Sequence, residues 1–348
     1  MADGVSTGAG AANAREGQFP VAKLTDVAAL AGVSKATASK AMSDRYEVSA
    51  ATRERVLLAA RELNFTPNFL ARGLGGGKTQ TVAFVTDDFD GRFMPEIMAG
   101  AEDALGADSS SVIMSNSRGR ADLEERRIND LLRRSVDGII VASRSPERRP
   151  PVILHSPVPV VYAYGFSADA ADTSVIPDSY AGGRLAALHL FGDGRRSLAC
   201  ITGPEAELAA AERARGTMAA VAEAGQELVA GRPFYGDWTE QWGWDATSRL
   251  LDSGVTFDGV VCGDDQIARG VLDLLEFRGV NVPGDVEVIG HDNWRLLSEH
   301  SRRPFSTIDM NLHQIGQLAA ELVTAPDGMR PGIHRVAPTV VVRGTTRA

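Results

Sequence analysis

The chain has 348 residues, more than one domain usually holds, so two or more packed units are expected. Its 44% hydrophobic and 23% charged residues are those of an ordinary globular protein, and no run of eighteen apolar residues offers a membrane span. A net charge of −9 argues against a chain that coats nucleic acid indiscriminately. In chain order, Met1 to Phe19 is rich in Ala and Gly, with no apolar core segment and no basic start. It does not read as a signal peptide, and residues 1–20 are expected to be a disordered leader. Cys200 and Cys262 sit in apolar runs and are expected to be buried free thiols. The cytoplasm follows as the expected compartment.

The next segment is basic. Residues 21–78 carry nine Lys and Arg against five Asp and Glu, a surplus of four positive charges that leaves −13 on the rest. Such a chain docks on phosphates with one end only. Leu24, Val27, Ala28 and Ala31 have the period of a helix with one buried face, and Gly32 permits a tight turn. Lys23 cannot cap that helix with its side chain, which leaves Thr25 as a later start. Ser34 can cap a second helix with Ala38, Ala41 and Met42 inward. Ser49 can cap a third, buried through Val56, Ala59, Ala60 and Leu63. From pattern alone this is a three-helix bundle that either binds DNA or does not. Lys35, Thr37, Ser39 and Lys40 on the outer face are groups that can meet base edges and phosphates.

The run Leu24-Thr-Asp-Val-Ala-Ala-Leu-Ala-Gly-Val-Ser-Lys-Ala-Thr-Ala-Ser-Lys40 resembles the signature of the lactose-repressor (LacI/GalR) family. The similarity continues through Val48-Ser-Ala-Ala-Thr-Arg-Glu-Arg-Val56 and Leu63-Asn-Phe-Thr-Pro-Asn68, and more diffusely to the C-terminus. The resemblance implies a sequence-specific transcriptional regulator, most often a repressor, that acts as a homodimer on a pseudo-palindromic double-stranded operator. It implies base reading by Lys35, Ala36 and Lys40, further contacts from Ser34, Thr37 and Ser39, and phosphate contacts from Ser49, Thr52 and Asn68. Lys40 stands where arginine is common and cannot make arginine's planar fork to guanine. Residues 21–66 are then a helix-turn-helix DNA-binding domain and residues 67–79 a hinge. Leu74 of the hinge falls where the family wedges a base step. Gly73 within it weakens any helix there by roughly 0.5–1 kcal/mol. Gly77-Lys-Thr79 is not a phosphate-binding loop, because Arg72 stands where that motif needs glycine.

From Thr81 onward β-branched runs alternate with helical segments, the pattern of parallel sheets built from strand–helix–strand units. Strands are expected at 81–85, 111–115, 138–142, 158–162, 197–202, 259–262 and 286–290, with helices near 93–105, 123–134, 180–191, 211–224, 240–252 and 266–277. The resemblance implies the full fold class: an all-α helix-turn-helix head plus an α/β periplasmic-binding-protein-like two-lobed body with two parallel sheets and a triple crossover. Residues 80–348 form that body, with crossings near Ile176, Pro304 and Val336, and also mediate dimerisation.

Carboxylates after strand ends are common helix caps, but together they suit a polyhydroxylated ligand. Asp87, Asp88, Asp264, Asp265 and Asp292 follow strands, Arg213 can donate, and Trp238 can cover the C–H face of a sugar. The resemblance places Arg213, Asp264 and Asp292 at effector-contacting positions and Trp238 at a sugar-stacking one; Asp87 and Phe93 are counted with them. Tyr164 stands where many members have aspartate. The expected effector is a carbohydrate, with a nucleoside or sugar phosphate as the alternative. Paired acids could also hydrolyse glycosides, but no nucleophile elbow, zinc-binding helix or Cys/His cluster occurs, so no enzyme and no metal or other cofactor is expected. No membrane partner is expected either.

Overall fold

The computed structural model describes residues 22–42, 48–65, 79–106, 110–153, 155–325 and 329–347. They fall into two compact units, the first ending with residue 65 and the second beginning at 79.

Among the described residues the first unit has three helices, Leu24–Ala31, Lys35–Met42 and Ala50–Glu62. Val27, Ala28, Ala31, Ala38, Ala41, Val56, Ala59 and Ala60 close its core. Small side chains dominate here, so the helices approach closely around one fully buried pair of valines, Val27 and Val56. Gly32 ends the first helix at φ 66°, a left-handed conformation that a Cβ would strain. The first helix starts at Leu24 and not later at Thr25, because Asp26 Oδ2 accepts the Lys23 backbone N–H at 2.8 Å. The cap is supplied from inside the first turn, where an acid also meets the helix dipole favourably.

The second unit holds two six-stranded sheets. In the first, strands β1 (Thr81–Thr86), β2 (Ser111–Asn116), β3 (Gly138–Ala142), β5 (Val160–Ala163), β7 (Thr173–Pro177) and β13 (Gly332–Val336) run in the order β13-β7-β5-β3-β1-β2. In the second, β8 (Leu198–Thr202), β9 (Phe234–Tyr235), β10 (Gly259–Cys262), β11 (Glu287–His291), β12 (Ser306–Asp309) and β14 (Thr339–Val341) run in the order β14-β12-β11-β10-β8-β9. All pairings are parallel except β12 with β14. The short β4 (Arg148–Arg149) and β6 (Phe166–Ser167) pair separately. Strands such as β3 and β8 are buried throughout, as sheets covered by helices on both faces require.

The chain crosses between the lobes three times. It leaves the first after Pro177, returns at Met310, and leaves again after Val336. The second crossing therefore lies beyond the expected Pro304. Phe305 is fully buried in the second lobe's core, and Ser306–Asp309 adds a strand to its sheet before the chain can leave. Cys200 and Cys262 are free and buried, as expected.

Three helix pairs cover the sheets: Met94–Gly106 with Leu312–Thr324, Ser179–Gly192 with Leu208–Glu223, and Glu240–Asp252 with Asp265–Phe277. Each pair meets through reciprocal glycines. A Cβ on Gly100 or Gly316 would lie 1.9 or 1.8 Å from a carbonyl oxygen of the opposite helix, and Gly183, Gly216, Gly243 and Gly270 repeat the arrangement. Backbone touches backbone there. Among the described residues no helix is long and apolar enough to cross a membrane.

Candidate functional site

In the first unit, Ser34 Oγ accepts from the Thr37 backbone N–H at 3.1 Å, and Ser49 Oγ from that of Thr52 at 3.3 Å. Both serines therefore start their helices, as their positions suggested. Ser34, Lys35, Ala36, Ser39 and Lys40 are exposed and Thr37 and Thr52 half-buried, so one face of Lys35–Met42 presents the proposed reading side chains. Asn68 and Leu74 lie outside the described residues.

In the second unit, a cavity of about 590 Å³ opens between the lobes at the carboxyl ends of the strands. Its walls include Asp88, Arg92, Phe93, Arg144, Tyr164, Glu207, Arg213, Trp238 and Asp292. This is where parallel α/β sheets place ligands. Trp238 is held flat over Gly203, where a Cβ would come within 2.2 Å of the indole, and its Nε1–H donates to Glu207 at 2.7 Å. Arg213 lies 5.7 Å from the indole centroid. Arg213 also pairs with Asp292 at 3.1 Å and donates to the Gly263 carbonyl at 2.5 Å. Its buried Nε has no acceptor among the described residues, leaving one donor unsatisfied beside the cavity.

Asp264 is one layer deeper. Its Oδ1 caps helix Asp265–Phe277 by accepting from Ile267 N–H at 2.8 Å. Its Oδ2 receives Arg92 at 3.3 Å, and Asp292 Oδ2 receives the same guanidinium at 2.8 Å. Burial and the neighbouring Asp292 push the Asp264 carboxyl up to about 6. Burial would raise Asp292 too, but Arg213 and Arg92 outweigh it and hold that acid at about 2. Asp265 does structural service, accepting from Trp294 N–H and Thr307 Oγ1, both at 2.6 Å. Asp87 is not in the cavity wall. It lies in an adjoining space of about 250 Å³ with Ser143, Arg144 and Arg149.

Arg92 lines the cavity although it was not among the expected site residues. Tyr164 is buried at φ 69° and packs against Phe93 with the rings tilted by 44° and centroids 5.1 Å apart, so an aromatic pair fills the place where an acid was the family expectation. Among the described residues no His, Cys, Asp and Glu group could hold a metal ion.

His291, behind Asp292, is fully buried, and burial together with Arg213 lowers it to about 4. Its folded value lies below the usual 6.5, so the stability it confers is complete above 6.5 and is lost as pH falls toward 4. Between pH 7 and 4.5 the wild type should therefore lose about 2–3 kcal/mol relative to His291→Gln. Urea midpoints of both proteins across that range check this; parallel curves would remove the charge argument.

Such a body, two lobes joined by three crossings around a polar, aromatic-walled cleft, is that of a ligand-binding regulator once joined to a helix-turn-helix unit. Residues 23–68 match the model for bacterial regulatory proteins, lacI family, and residues 187–346 that for a periplasmic binding protein-like domain. Catabolite control protein A of Priestia megaterium is 33% identical over 86% of this chain and 91% of its own length. The HTH-type transcriptional repressor PurR of Vibrio parahaemolyticus is 31% identical over 94% and 99%. Among solved structures, the transcriptional regulator CelR–cellobiose complex is 29% identical, covers 93% of this chain and 99% of its own, and superposes with a TM-score of 0.63. The chain belongs to the lacI family of bacterial regulatory proteins: it is a DNA-binding transcriptional regulator with an effector-binding body.

Proposed function

We propose that this regulator is a repressor whose hold on its operator is set by a neutral carbohydrate in the interlobe cleft. The observation that carries the reading is the Trp238 indole, fixed by Gly203 and Glu207, facing the cavity beside the Arg213–Asp292 pair. An indole covers the C–H face of a sugar while the pair donates to and accepts from its hydroxyls. The walls carry Asp88, Glu147, Glu207 and Asp292 against Arg92, Arg144 and Arg213, a balance that disfavours an anionic effector. The relative solved with cellobiose supports the same class.

In this reading the chain divides into a leader at 1–20, a head at 21–66, a hinge at 67–79 and a body at 80–348. Two subunits read a pseudo-palindrome in the cytoplasm. Lys35, Ala36 and Lys40 meet bases, with Ser34, Thr37 and Ser39 beside them. Ser49, Thr52 and Asn68 hold phosphates, and Leu74 wedges the central step. The acids of the cleft bind and do not cleave. Ligand that favours one lobe arrangement shifts operator affinity by its differential affinity for the two.

Calorimetric titration of the full chain with a panel of neutral mono- and disaccharides, their phosphates and nucleosides tests this. A neutral sugar should bind, and Trp238→Ala should weaken it by roughly 30-fold, about 2 kcal/mol of lost stacking and burial. Binding confined to phosphates or nucleosides, or unaffected by Trp238→Ala, would overturn it.

A further inference from the structure

Arg92 comes from the first lobe, two residues before helix Met94–Gly106, yet all its hydrogen-bond partners among the described residues belong to the second. It donates to Gln266 Oε1 at 2.6 Å, Asp264 Oδ2 at 3.3 Å and Asp292 Oδ2 at 2.8 Å. The Phe93 and Trp294 rings lie 4.6 and 4.9 Å from its guanidinium carbon. Carboxylates with aromatic faces make a cage for a planar cation. The side chain is not core filler. It lines both the effector cleft and a second cavity of about 610 Å³ that also contains Trp294, His300 and His313.

The two acids have few acceptor atoms to spare. Asp264 Oδ1 is committed to the helix cap, and Asp292 Oδ1 to Arg213 and His291. The remaining oxygen of each acid is Oδ2, and Arg92 takes both. A hydroxyl group that docks on these acids meets a guanidinium already there. Nor does Arg92 serve its own helix, since a cation before a helix N-terminus opposes the dipole.

We propose that Arg92 is a tethered occupant of the effector site: its guanidinium, anchored on Asp264 behind the wall, fills the place at Asp292 where effector hydroxyls dock, so latch and effector exclude one another. The proposal rests on the sugar reading of the cleft. The latch ties the lobes together without ligand and lowers the apparent effector affinity by the fraction of molecules in which it is closed. It thereby sets the concentration at which the regulator responds.

Arg92→Ala tests this through two readouts on the full chain. The sugar that binds wild type should bind the variant about tenfold more tightly. Separately, methylguanidinium at 10 mM should raise the thermal midpoint of Arg92→Ala by several degrees, while leaving wild type and Arg92→Ala/Asp292→Asn unmoved. Arg92→Gln, which keeps the stem, should shift sugar affinity in the same direction and serves if the alanine variant does not fold. Equal or weaker sugar binding by the variants makes Arg92 an ordinary contact and overturns the proposal, as does failure of methylguanidinium to act. If methylguanidinium acts but no sugar binds any of these proteins, the sugar reading falls and competition with sugar hydroxyls falls with it, while the guanidinium seat at Asp292 stands.

Discussion

Replacing Arg213 with alanine is expected to cost the body about 3–5 kcal/mol and to abolish its response to effector. The side chain is only 5% exposed and holds Asp292 in its ionised form, together with Arg92. Taking it away leaves a buried carboxylate with half its compensation and the Gly263 carbonyl without its donor. A packing defect alone would not distinguish these losses, so the double variant with Asp292→Asn matters. It removes the stranded charge and should recover most of the stability but none of the effector response. Denaturation midpoints of the four proteins in the cycle measure the coupling. If the double variant is as unstable as Arg213→Ala alone, the charge account of the site is wrong.

The second large effect is mechanical. Gly316→Val should destabilise the body by about 3–5 kcal/mol, more than ordinary overpacking, because the first added carbon already lies 1.8 Å from the Ile97 carbonyl oxygen. That contact is with backbone, which cannot swing aside, so the helices must separate along their length. Gly192→Ala, at a helix end with open space around it, is the control and should change little. Thermal midpoints should differ by roughly 10 °C between the two variants for a body of this size. Similar midpoints would show that the helix pair has slack.

The head was largely legible because its punctuation is local: a glycine that must be left-handed, serines that cap, and apolar residues at helical spacing. Its one surprise, Asp26 standing in for a cap at Lys23, depends on an acid reaching back one turn. Strands β1 and β3 were legible because apolar and β-branched residues fill them, and the edge strand β2 because of its central Val112, Ile113 and Met114. Ser306–Asp309 was not, since a buried strand of Ser and Thr looks like a loop; here their hydroxyls are bonded, Thr307 to Asp265 and Ser306 to Thr346. Gly332–Val336 is an edge strand whose burial alternates, but its exposed residues are Ile333 and Arg335 and its inner ones include His334, so its apolar pattern does not mark the face toward the core. Helix Leu312–Thr324 escaped expectation although Leu312, Ile315, Gly316, Ala319 and Ala320 carry its period.

Within the site, Arg213, Trp238 and Asp292 come together as their types suggested, while Asp264 and Asp87 lie off the cavity wall. Arg92 could not be found by asking which acids follow strands. Its signal is electrostatic: an arginine between Gly91 and Phe93 at the start of a helix has no reason to be there unless acids elsewhere in the fold receive it.

The three crossings carry a consequence for biosynthesis. Neither lobe is one stretch of chain. The first lobe lacks a helix that packs on Met94–Gly106 until residues 312–324 exist, and its edge strand until 332–336; the second lacks its antiparallel edge until 339–341. A ribosome that has made the first hundred residues of the body has therefore made a sheet with one face partly bare. Val323 and Ile315 come more than two hundred residues after the strand that opens the same core. Since domains ordinarily fold as units while they are made, this body must hold exposed apolar surface through most of its translation. Chaperone occupancy should be greatest on nascent chains that stop short of residue 312.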